Sequence, residues 1–434
     1  MSNYRKKYFK SLFCFLGIYL LVFSGLAVGM KPPEEDKSPD LQMATFDIDV
    51  TPPIGYEMAY DTVIKTWDLG LRARGVVLIG SGQPIVLLSV DWIGIGNQCH
   101  DVFKRTIAEA AGTIPRRVAV HTVHQHDAPR CDTASHLESE YVQSVFSRLD
   151  FAVQHSLENT QPITHVGHGK AEVSKVASNR RILSSDRDTV RAMRYTSCGD
   201  SALRAEPEGV IDPMVSLVSF WNEDEPLAVL SYYATHPQSY YRTGIPNPDF
   251  PGVARFLRQL AVPDALHIHF TGAGGNIGAG KYNDGSHENR GILAKRLADG
   301  MKRAWESTEL RPVSASSVAW DVKPVALPAN TAKDNAYTDR YWSGEKIDLQ
   351  CLTLGGVRIL HLPGELCIEY QLAAKAMRPE LFVAVAAYGD YGPSYIPPAV
   401  AFERGGYEAG AAGVTPEAEA VLMEAIRKLL NAEL

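Results

Sequence analysis

Three histidines and an aspartate fall within seven residues of the stretch VAVHTVHQHDAPRCD, residues 118–132. Val118 and Val120 are typical of the end of a buried strand, and side chains alternate between faces along an extended chain. If the backbone stays extended, His124 and His126 point the same way, so one can bind a metal while the other meets a substrate. For the triplet alone, a polar loop whose histidines hydrogen-bond one another is equally well supported.

Apolar periodicity predicts the elements that must position these residues. Runs of β-branched and aliphatic residues predict strands near 44–50, 73–80, 83–95, 118–126, 165–181, 213–223, 225–237, 265–272, 317–327, 355–362 and 381–391. Apolar residues three and four apart predict helices near 98–112, 138–159, 250–261, 289–305, 365–377 and 415–430. With no repeats or low-complexity linkers between them, these elements predict a single α/β domain, a mixed β-sheet core flanked by helices.

Other polar residues occur where predicted elements end. His236 closes the strand near 225–237 and is followed by Pro237, which places it at a sheet end, where functional groups are common. Glu365 follows a Pro-Gly turn at a predicted helix start, where the helix dipole alone would favour a carboxylate. Asp91 closes another strand and either orients a metal-binding histidine or begins a turn. Each of these residues alone is compatible with a purely structural role.

Composition excludes several classes of protein. The 434 residues carry a formal net charge of -7 without long charged runs, so nothing indicates nucleic-acid binding. Beyond the first 30 residues the cysteines form no CxxC pair, which argues against a zinc ribbon or a dense disulfide framework. Cys131, beside the histidines, is either a reactive thiol or a buried structural residue.

The start of the chain has the pattern of an export signal. Four basic residues precede the apolar run 12–28, and a polar, proline-rich stretch follows. We predict a signal peptide or N-terminal anchor at 1–30, a disordered linker at 31–43 and a hydrolase domain at 44–434. The protein is then periplasmic or extracellular, and an uncleaved segment would associate it with a membrane.

Four motifs in the same order resemble the catalytic domain of the neutral/alkaline (non-lysosomal) ceramidase family. The family's HxHSGP is similar to HQHDAP at 124–129, its AxHP to ATHP at 234–237, and its PGE to residues 363–365. Its Asn-Arg pair resembles residues 179–180, and the similarity extends from DIDVTPPIG to GGYE, over nearly all of the chain after residue 43. The resemblance implies an amide-cleaving zinc hydrolase with a small-molecule or lipid substrate.

The resemblance also implies roles for individual residues. Zinc would be held by two histidines, a glutamate and a tyrosine, which correspond here to His124, His236, Glu365 and Tyr395. His126 would carry a proton, while Arg180 and Tyr407 would stabilise charge or orient the substrate. The Tyr395 assignment follows from the family's Tyr-Ile pair, and Tyr407 lies in GGYE.

The chain also departs from the family pattern. Ala128 replaces the family's glycine, Asp127 replaces a serine beside His126, and Gly272 replaces a serine of the glycine-rich loop. These changes leave the implied metal ligands intact. Because no hydroxyl stands at position 272, we predict direct attack by water without a covalent acyl-enzyme.

Three hypotheses about function follow. The first is a secreted zinc amidase for N-acyl lipids, which needs an apolar groove beside the metal. The second is a zinc hydrolase or lyase for a glycan fragment, which needs a polar pocket lined with aromatics, and Tyr232, Tyr233, Tyr240 and Tyr241 near His236 would suit it. The third is a binding protein without catalysis. The residues alone permit ester, lactone and amide substrates equally.

Overall fold

Three large β-sheets, in which the strands follow the same order, form most of the protein's core. The computed structural model describes residues 41–432 except 68, 334 and 335, and all of these residues belong to one compact unit. Residues 1–40 lie outside the described range, and so do the predicted export segment and most of the predicted linker. The first strand begins at Gln42, two residues before the predicted start of the domain at residue 44.

The described part of the chain contains 22 strands. In chain order they are β1 Gln42–Asp49, β2 Arg72–Gly80, β3 Gly82–Val90, β4 Gly94–Ile95, β5 Val118–Thr122, β6 Arg130–Cys131, β7 Gln161–Pro162, β8 His165–Glu172, β9 Ser178–Asn179, β10 Arg181–Leu183, β11 Val190–Met193, β12 Met214–Asn222, β13 Glu225–Tyr233, β14 Leu266–Thr271, β15 Ile277–Gly278, β16 Glu309–Pro312, β17 Val318–Val325, β18 Ile347–Leu354, β19 Val357–His361, β20 Glu365–Leu366, β21 Phe382–Ala386 and β22 Tyr395–Ile396.

Helices connect or cover these strands. They are α1 Gln98–Ala110, α2 Ala134–Glu138, α3 Glu140–Ser156, α4 Ser201–Ala205, α5 Asp249–Ala261, α6 Glu288–Glu306, α7 Ala336–Trp342, α8 Ile368–Met377, α9 Ala399–Arg404, α10 Tyr407–Ala411 and α11 Ala418–Leu430. None of these helices is long and apolar enough to cross a membrane. The mixed β-sheet core flanked by helices that the sequence predicts is confirmed.

The three large sheets repeat one topological pattern that the sequence analysis did not detect. Their orders are β5-β3-β2-β1-β7, β14-β13-β12-β8-β16 and β21-β19-β18-β17. In each sheet an antiparallel meander is followed by a helix (α1, α5 or α8), after which the chain returns as a strand parallel to the last meander strand. The carboxyl ends of two parallel strands therefore lie side by side in every sheet, and loops that leave this edge are common places for functional side chains.

The sheets share a central core and bury both of their faces. Leu78, Leu230 and Ile359, one from each sheet, belong to one buried cluster with Phe270. The opposite faces pack on helices, and α5 with α6 covers the second sheet. Because strands buried on both faces are apolar at nearly every position, the sequence shows continuous apolar runs and not strict alternation.

Several predicted strands extend past the observed ends, β18 was not predicted, and the run 165–181 departs furthest from the prediction. The run 165–181 forms β8 only as far as Glu172, and two short strands follow it. The chain turns at Lys175, whose φ is 60°, and the amide of Val173 donates to Pro213 O at 2.8 Å. The turn redirects the chain so that the next residues, Asn179 and Arg180, leave the sheet.

Candidate metal centre

A cavity of about 440 Å³ lies where loops from the three sheets converge. The loops follow β5, β13, β19 and β21 at their carboxyl ends. The cavity is lined by Tyr60, His124, His126, Arg130, Arg180, Tyr195, Thr196, Ser197, His236, Gln238, Tyr241, Glu365, Tyr391, Ser394, Tyr395, Tyr407 and Ala411. All seven residues predicted as metal ligands or catalytic groups are among them, so the structure brings the predicted set together.

His124 follows the end of β5 in a strained backbone conformation. The strand stops at Thr122, and His124 has a φ of 73°, a left-handed conformation that is unusual for a residue other than glycine. Its Nδ1 lies 2.5 Å from Ile93 O. A carbonyl can only accept, so Nδ1 carries a proton and the ring is oriented with Nε2 toward Glu365. The backbone is therefore not extended here, contrary to expectation, although His124 and His126 still line one cavity.

His236 is held in the same way. Its Nδ1 donates to Gly274 O at 2.8 Å, and its backbone amide donates to Ile277 O at 3.0 Å. The side chain is 1% exposed, and burial, followed by the positive charge of Arg180, lowers the pKa of His236 to about 4. At neutral pH the ring is uncharged, with Nε2 available as a ligand.

Glu365 lies between the two histidines. Its Oε2 is 3.2 Å from His124 Nε2 and 3.2 Å from His236 Nε2, while Tyr391 donates its hydroxyl to Oε1 at 2.7 Å. Burial alone would raise the pKa of Glu365, but the adjacent His124 and His236 hold it well below its usual range. The prediction that Glu365 begins a helix is wrong, because it belongs to β20 and α8 starts three residues later.

Tyr395 joins the group through strand pairing. It is the register partner of Glu365 in the parallel pair β20–β22, and its hydroxyl oxygen lies 3.2 Å from His236 Nε2. Arg180 donates from Nη2 to the same oxygen at 3.3 Å. Burial raises the pKa of Tyr395 well above its usual range, and the nearby Arg180 opposes that rise.

These four side chains fit a metal ion. In a tetrahedral zinc site with bonds of about 2.0–2.1 Å, ligand atoms lie about 3.3 Å apart, and the two Nε2 to Oε2 distances are 3.2 Å. Within the described part of the chain, no group forms a hydrogen bond with the buried Oε2 of Glu365. A buried carboxylate oxygen that faces two imidazole nitrogens is a suitable place for a cation, which would offset the cost of burying the carboxylate charge.

His126 lies beside the four candidate ligands but forms no hydrogen bond with any of them. Its ligand nitrogen is within 4.8 Å of those of His124 and His236, and no described residue hydrogen-bonds either of its ring nitrogens. The ring stacks on Tyr60 with centroids 5.2 Å apart and planes at 19°. Burial, with the two neighbouring histidines, lowers the pKa of His126 well below its usual range. An uncharged imidazole with free nitrogens suits both a proton acceptor and a further ligand.

Arg180 places a fixed positive charge at the cavity wall. Its Nη2 and Nε donate to Oε1 of the fully buried Glu408 at 2.9 Å and 3.1 Å. Burial opposes its charge, but Tyr395 and Glu408 hold the pKa of Arg180 above its usual range. The guanidinium carbon lies 5.5 Å from the ring centre of Tyr407, whose side chain is about half exposed. Both residues can therefore face a substrate that enters the cavity.

Comparisons with known proteins yielded structural matches alone. No family model and no curated protein matches the sequence. The solved structures that match include neutral ceramidase from Pseudomonas aeruginosa, with a TM-score of 0.67, 14% identity and coverage of 90% of this chain and 74% of that one. They also include a ceramidase complexed with C2, with a TM-score of 0.69, 14% identity and coverage of 90% and 75%. The chain has the neutral ceramidase fold. At this identity the likeness shows the fold and leaves the activity to be proposed.

The glycine-rich loop of this neutral ceramidase fold packs between the segments that carry two candidate metal ligands, His236 and Glu365. A Cβ at Gly275 would lie 2.5 Å from Glu365 O, and one at Gly274 would lie 2.9 Å from the Thr235 carbonyl carbon. Such distances exclude any side chain. The glycines therefore let the segments of His236 and Glu365 approach one loop from both sides, and no nucleotide-binding role is needed to explain them.

Gly272 faces away from the predicted chemistry. A Cβ there would meet Gln371 Oε1 at 2.5 Å and Ala234 at 3.2 Å. Gln371 is fixed, since it accepts from the Ala273 amide at 3.0 Å and donates to Asp212 at 2.7 Å. A serine hydroxyl at position 272 would contact these groups and not the candidate metal ligands.

Several further interpretations are corrected by the ceramidase-like fold. Asp91 orients no histidine, because it forms a buried ion pair with Arg255 at 2.6 Å. Asp127 accepts from the Arg242 amide at 2.7 Å and from Thr243, so it fixes a turn. Of the tyrosines expected near His236, only the last lines the cavity: Tyr232 and Tyr233 are buried in the core, and Tyr240 packs on Arg290 and His287. The described cysteines are buried and unbridged.

The sequence analysis missed two residues that hold predicted site residues in place, Tyr391 and Glu408. Tyr391 fixes Glu365, and Glu408 pairs with Arg180. Both lie within a few residues of predicted site residues, Tyr395 and Tyr407. Their spacing gives no signal of its own, because each contact joins distant parts of the chain.

Proposed function

We propose that the protein is a zinc-dependent hydrolase that cleaves an amide (N-acyl) bond. The observation that carries this proposal is the convergence of the Nε2 atoms of two buried histidines on one carboxylate oxygen, each 3.2 Å away. A charged arginine and an unpartnered histidine line the same cavity. The fold shared with neutral ceramidase supports the choice of an amide.

His124, His236, Glu365 and Tyr395 would hold the metal. Bound there, zinc would lower the pKa of a coordinated water from about 15.7 toward about 7 and polarise a carbonyl. The protein's own residues supply the remaining chemistry. His126 is uncharged, so it can accept a proton from the attacking water at a free ring nitrogen and then donate it to the leaving amine. Arg180, held by Glu408, stabilises negative charge that develops on the substrate oxygen.

The proposal includes export from the cytoplasm. Residues 1–30 combine a basic start with an apolar run, the pattern of a signal peptide or N-terminal anchor. Fractionation of cells that express the full chain would place it in the periplasm, the medium or the membrane. Recovery in the cytoplasm alone would refute this part of the proposal.

The activity can be tested with matched reporters. Purified protein loaded with zinc is expected to hydrolyse an N-acyl amide reporter, to lose activity after chelation and to recover it when zinc is restored. An ester reporter with the same acyl group shows whether the amide is preferred. Absence of turnover on both reporters with zinc fully bound would favour a binding protein.

We expect no covalent acyl-enzyme during turnover. The cavity lining contributes the hydroxyls of Thr196, Ser197 and Ser394 but no cysteine, and among the described residues no hydroxyl forms a hydrogen bond with the candidate base His126. Attack by water then gives no burst of product, and hydroxylamine does not divert the acyl group. Mass spectrometry of quenched reactions checks this. An acyl adduct on serine or threonine, formed and lost at the turnover rate, would overturn the mechanism.

A further inference from the structure

We infer that the substrate is a polar, hydroxyl-rich N-acyl compound with a short acyl group, of the chemical class of N-acetylated amino sugars, and not a long-chain N-acyl lipid. The inference rests on the proposed amide hydrolysis and adds the substrate class. It is drawn from the residues that line the cavity beside the candidate metal ligands.

The cavity offers almost no aliphatic surface. Among the described residues that line it, Ala411 is the one aliphatic side chain. The free energy gained by burying an acyl chain grows with each methylene group, but only where apolar side chains receive the chain. Here that chain would instead displace water from charged and hydroxyl groups, which is unfavourable. A long acyl chain is therefore poorly matched to this cavity.

Tyrosines stand on two sides of the candidate metal ligands. On one side Tyr60 stacks on His126 and lies 4.9 Å from Tyr241, measured between ring centres. On the other side Tyr407 lies 5.9 Å from Tyr195 and 5.5 Å from Tyr395. Tyr60, Tyr195 and Tyr407 are 39%, 47% and 47% exposed. Rings of this kind present an apolar face and a polar hydroxyl, which suits the C–H face and the hydroxyl edge of a sugar.

Polar groups between the tyrosines can bind hydroxyls. Arg130 lines the cavity, and no described residue accepts a hydrogen bond from its Nε, which lies 3.6 Å from Asp132. Ser197, Gln238 and Ser394 add hydroxyl and amide groups to the same wall. The volume of about 440 Å³ falls at the small end of the usual range for ligand sites, roughly 300–1,000 Å³. The cavity therefore fits a small polyhydroxylated ligand.

Substrate competition tests the inference. The zinc-loaded enzyme is assayed with one methyl glycoside of a hexosamine carrying an acetyl or a decanoyl group on nitrogen, and with sphingosine carrying an acetyl or a palmitoyl group. We expect kcat/KM for the N-acetyl glycoside to exceed that for N-palmitoylsphingosine by about 100-fold or more. Lengthening the acyl group on the sugar should lower kcat/KM. Faster cleavage of either sphingosine derivative than of the N-acetyl glycoside would overturn the inference while leaving amide hydrolysis intact.

Tyr195 provides a test of stacking. Tyr195→Ala should raise KM for the N-acetyl glycoside about two- to tenfold with kcat nearly unchanged, because the sugar would lose the aromatic face on which it stacks. Tyr195→Phe keeps the ring and serves as the matched control. Calorimetric measurement of binding of the same glycoside separates the proposed amide hydrolysis from the inferred class of ligand. Binding that depends on the Tyr195 ring but leads to no cleavage refutes amide hydrolysis and supports the ligand class. A glycoside that neither binds nor reacts overturns the inference.

Discussion

His236→Ala should leave the protein folded but without bound metal and should lower activity by about 10³-fold or more. The imidazole supplies one of the four predicted ligand atoms, and its Nε2 faces Glu365 Oε2 at 3.2 Å. Loss of one ligand from such a site sharply weakens metal affinity. His124→Ala should behave in the same way, because its Nε2 has the same relation to Glu365.

Metal analysis of the purified variants after zinc supplementation and desalting measures this effect. The unmodified protein should carry about one zinc per chain, and each variant well under half of that. His287→Ala is the matched control, since His287 is exposed and stacks on Tyr240 outside the cavity. Retention of full zinc by both His124→Ala and His236→Ala would show that the ligands are misassigned.

The sequence predicted most of the long strands, though not β18, and the polar residues that follow them, because both depend on local patterns. Val118 and Val120 are apolar because they belong to a buried strand, and Pro237 limits the strand before His236. The resemblance of short motifs then linked His236 to Glu365, which lie far apart in the chain. They meet because β13 and β19, which belong to different sheets, both direct the loops at their carboxyl ends to one cavity.

Features set by long-range contacts could not be predicted. Nothing near Asp91 in the sequence indicates that Arg255 lies 2.6 Å away, and this pair removes Asp91 from the candidate site. The polar lining of the cavity could not be predicted either, because Tyr60, Tyr195 and Tyr407 come from distant parts of the chain. The three sheets share a strand order without a visible sequence repeat, because topology constrains burial and not residue identity.

The most discriminating substitution concerns the third histidine of the cavity. His126→Ala should keep about one zinc per chain and lose activity by about 10²-fold or more, the usual size of a proton-transfer contribution. The reason is geometric. Glu365 Oε2 approaches the nitrogens of His124 and His236 at 3.2 Å, whereas His126 contacts Tyr60 by stacking and both of its ring nitrogens lack partners among the described residues.

Because the His126 ligand nitrogen also lies within 4.8 Å of those of the other two histidines, activity alone cannot separate a proton carrier from a metal ligand. Zinc content and chemical rescue can do so. If His126 carries the proton, imidazole added to the zinc-loaded His126→Ala protein should restore part of the lost rate, and the restoration should rise with the concentration of uncharged imidazole. If His126 is a ligand, zinc leaves the variant together with activity. In that case His126 would replace one of the four predicted ligands. Tyr395 would be the first ligand to be reassigned, because its hydroxyl oxygen already accepts a hydrogen bond from Arg180.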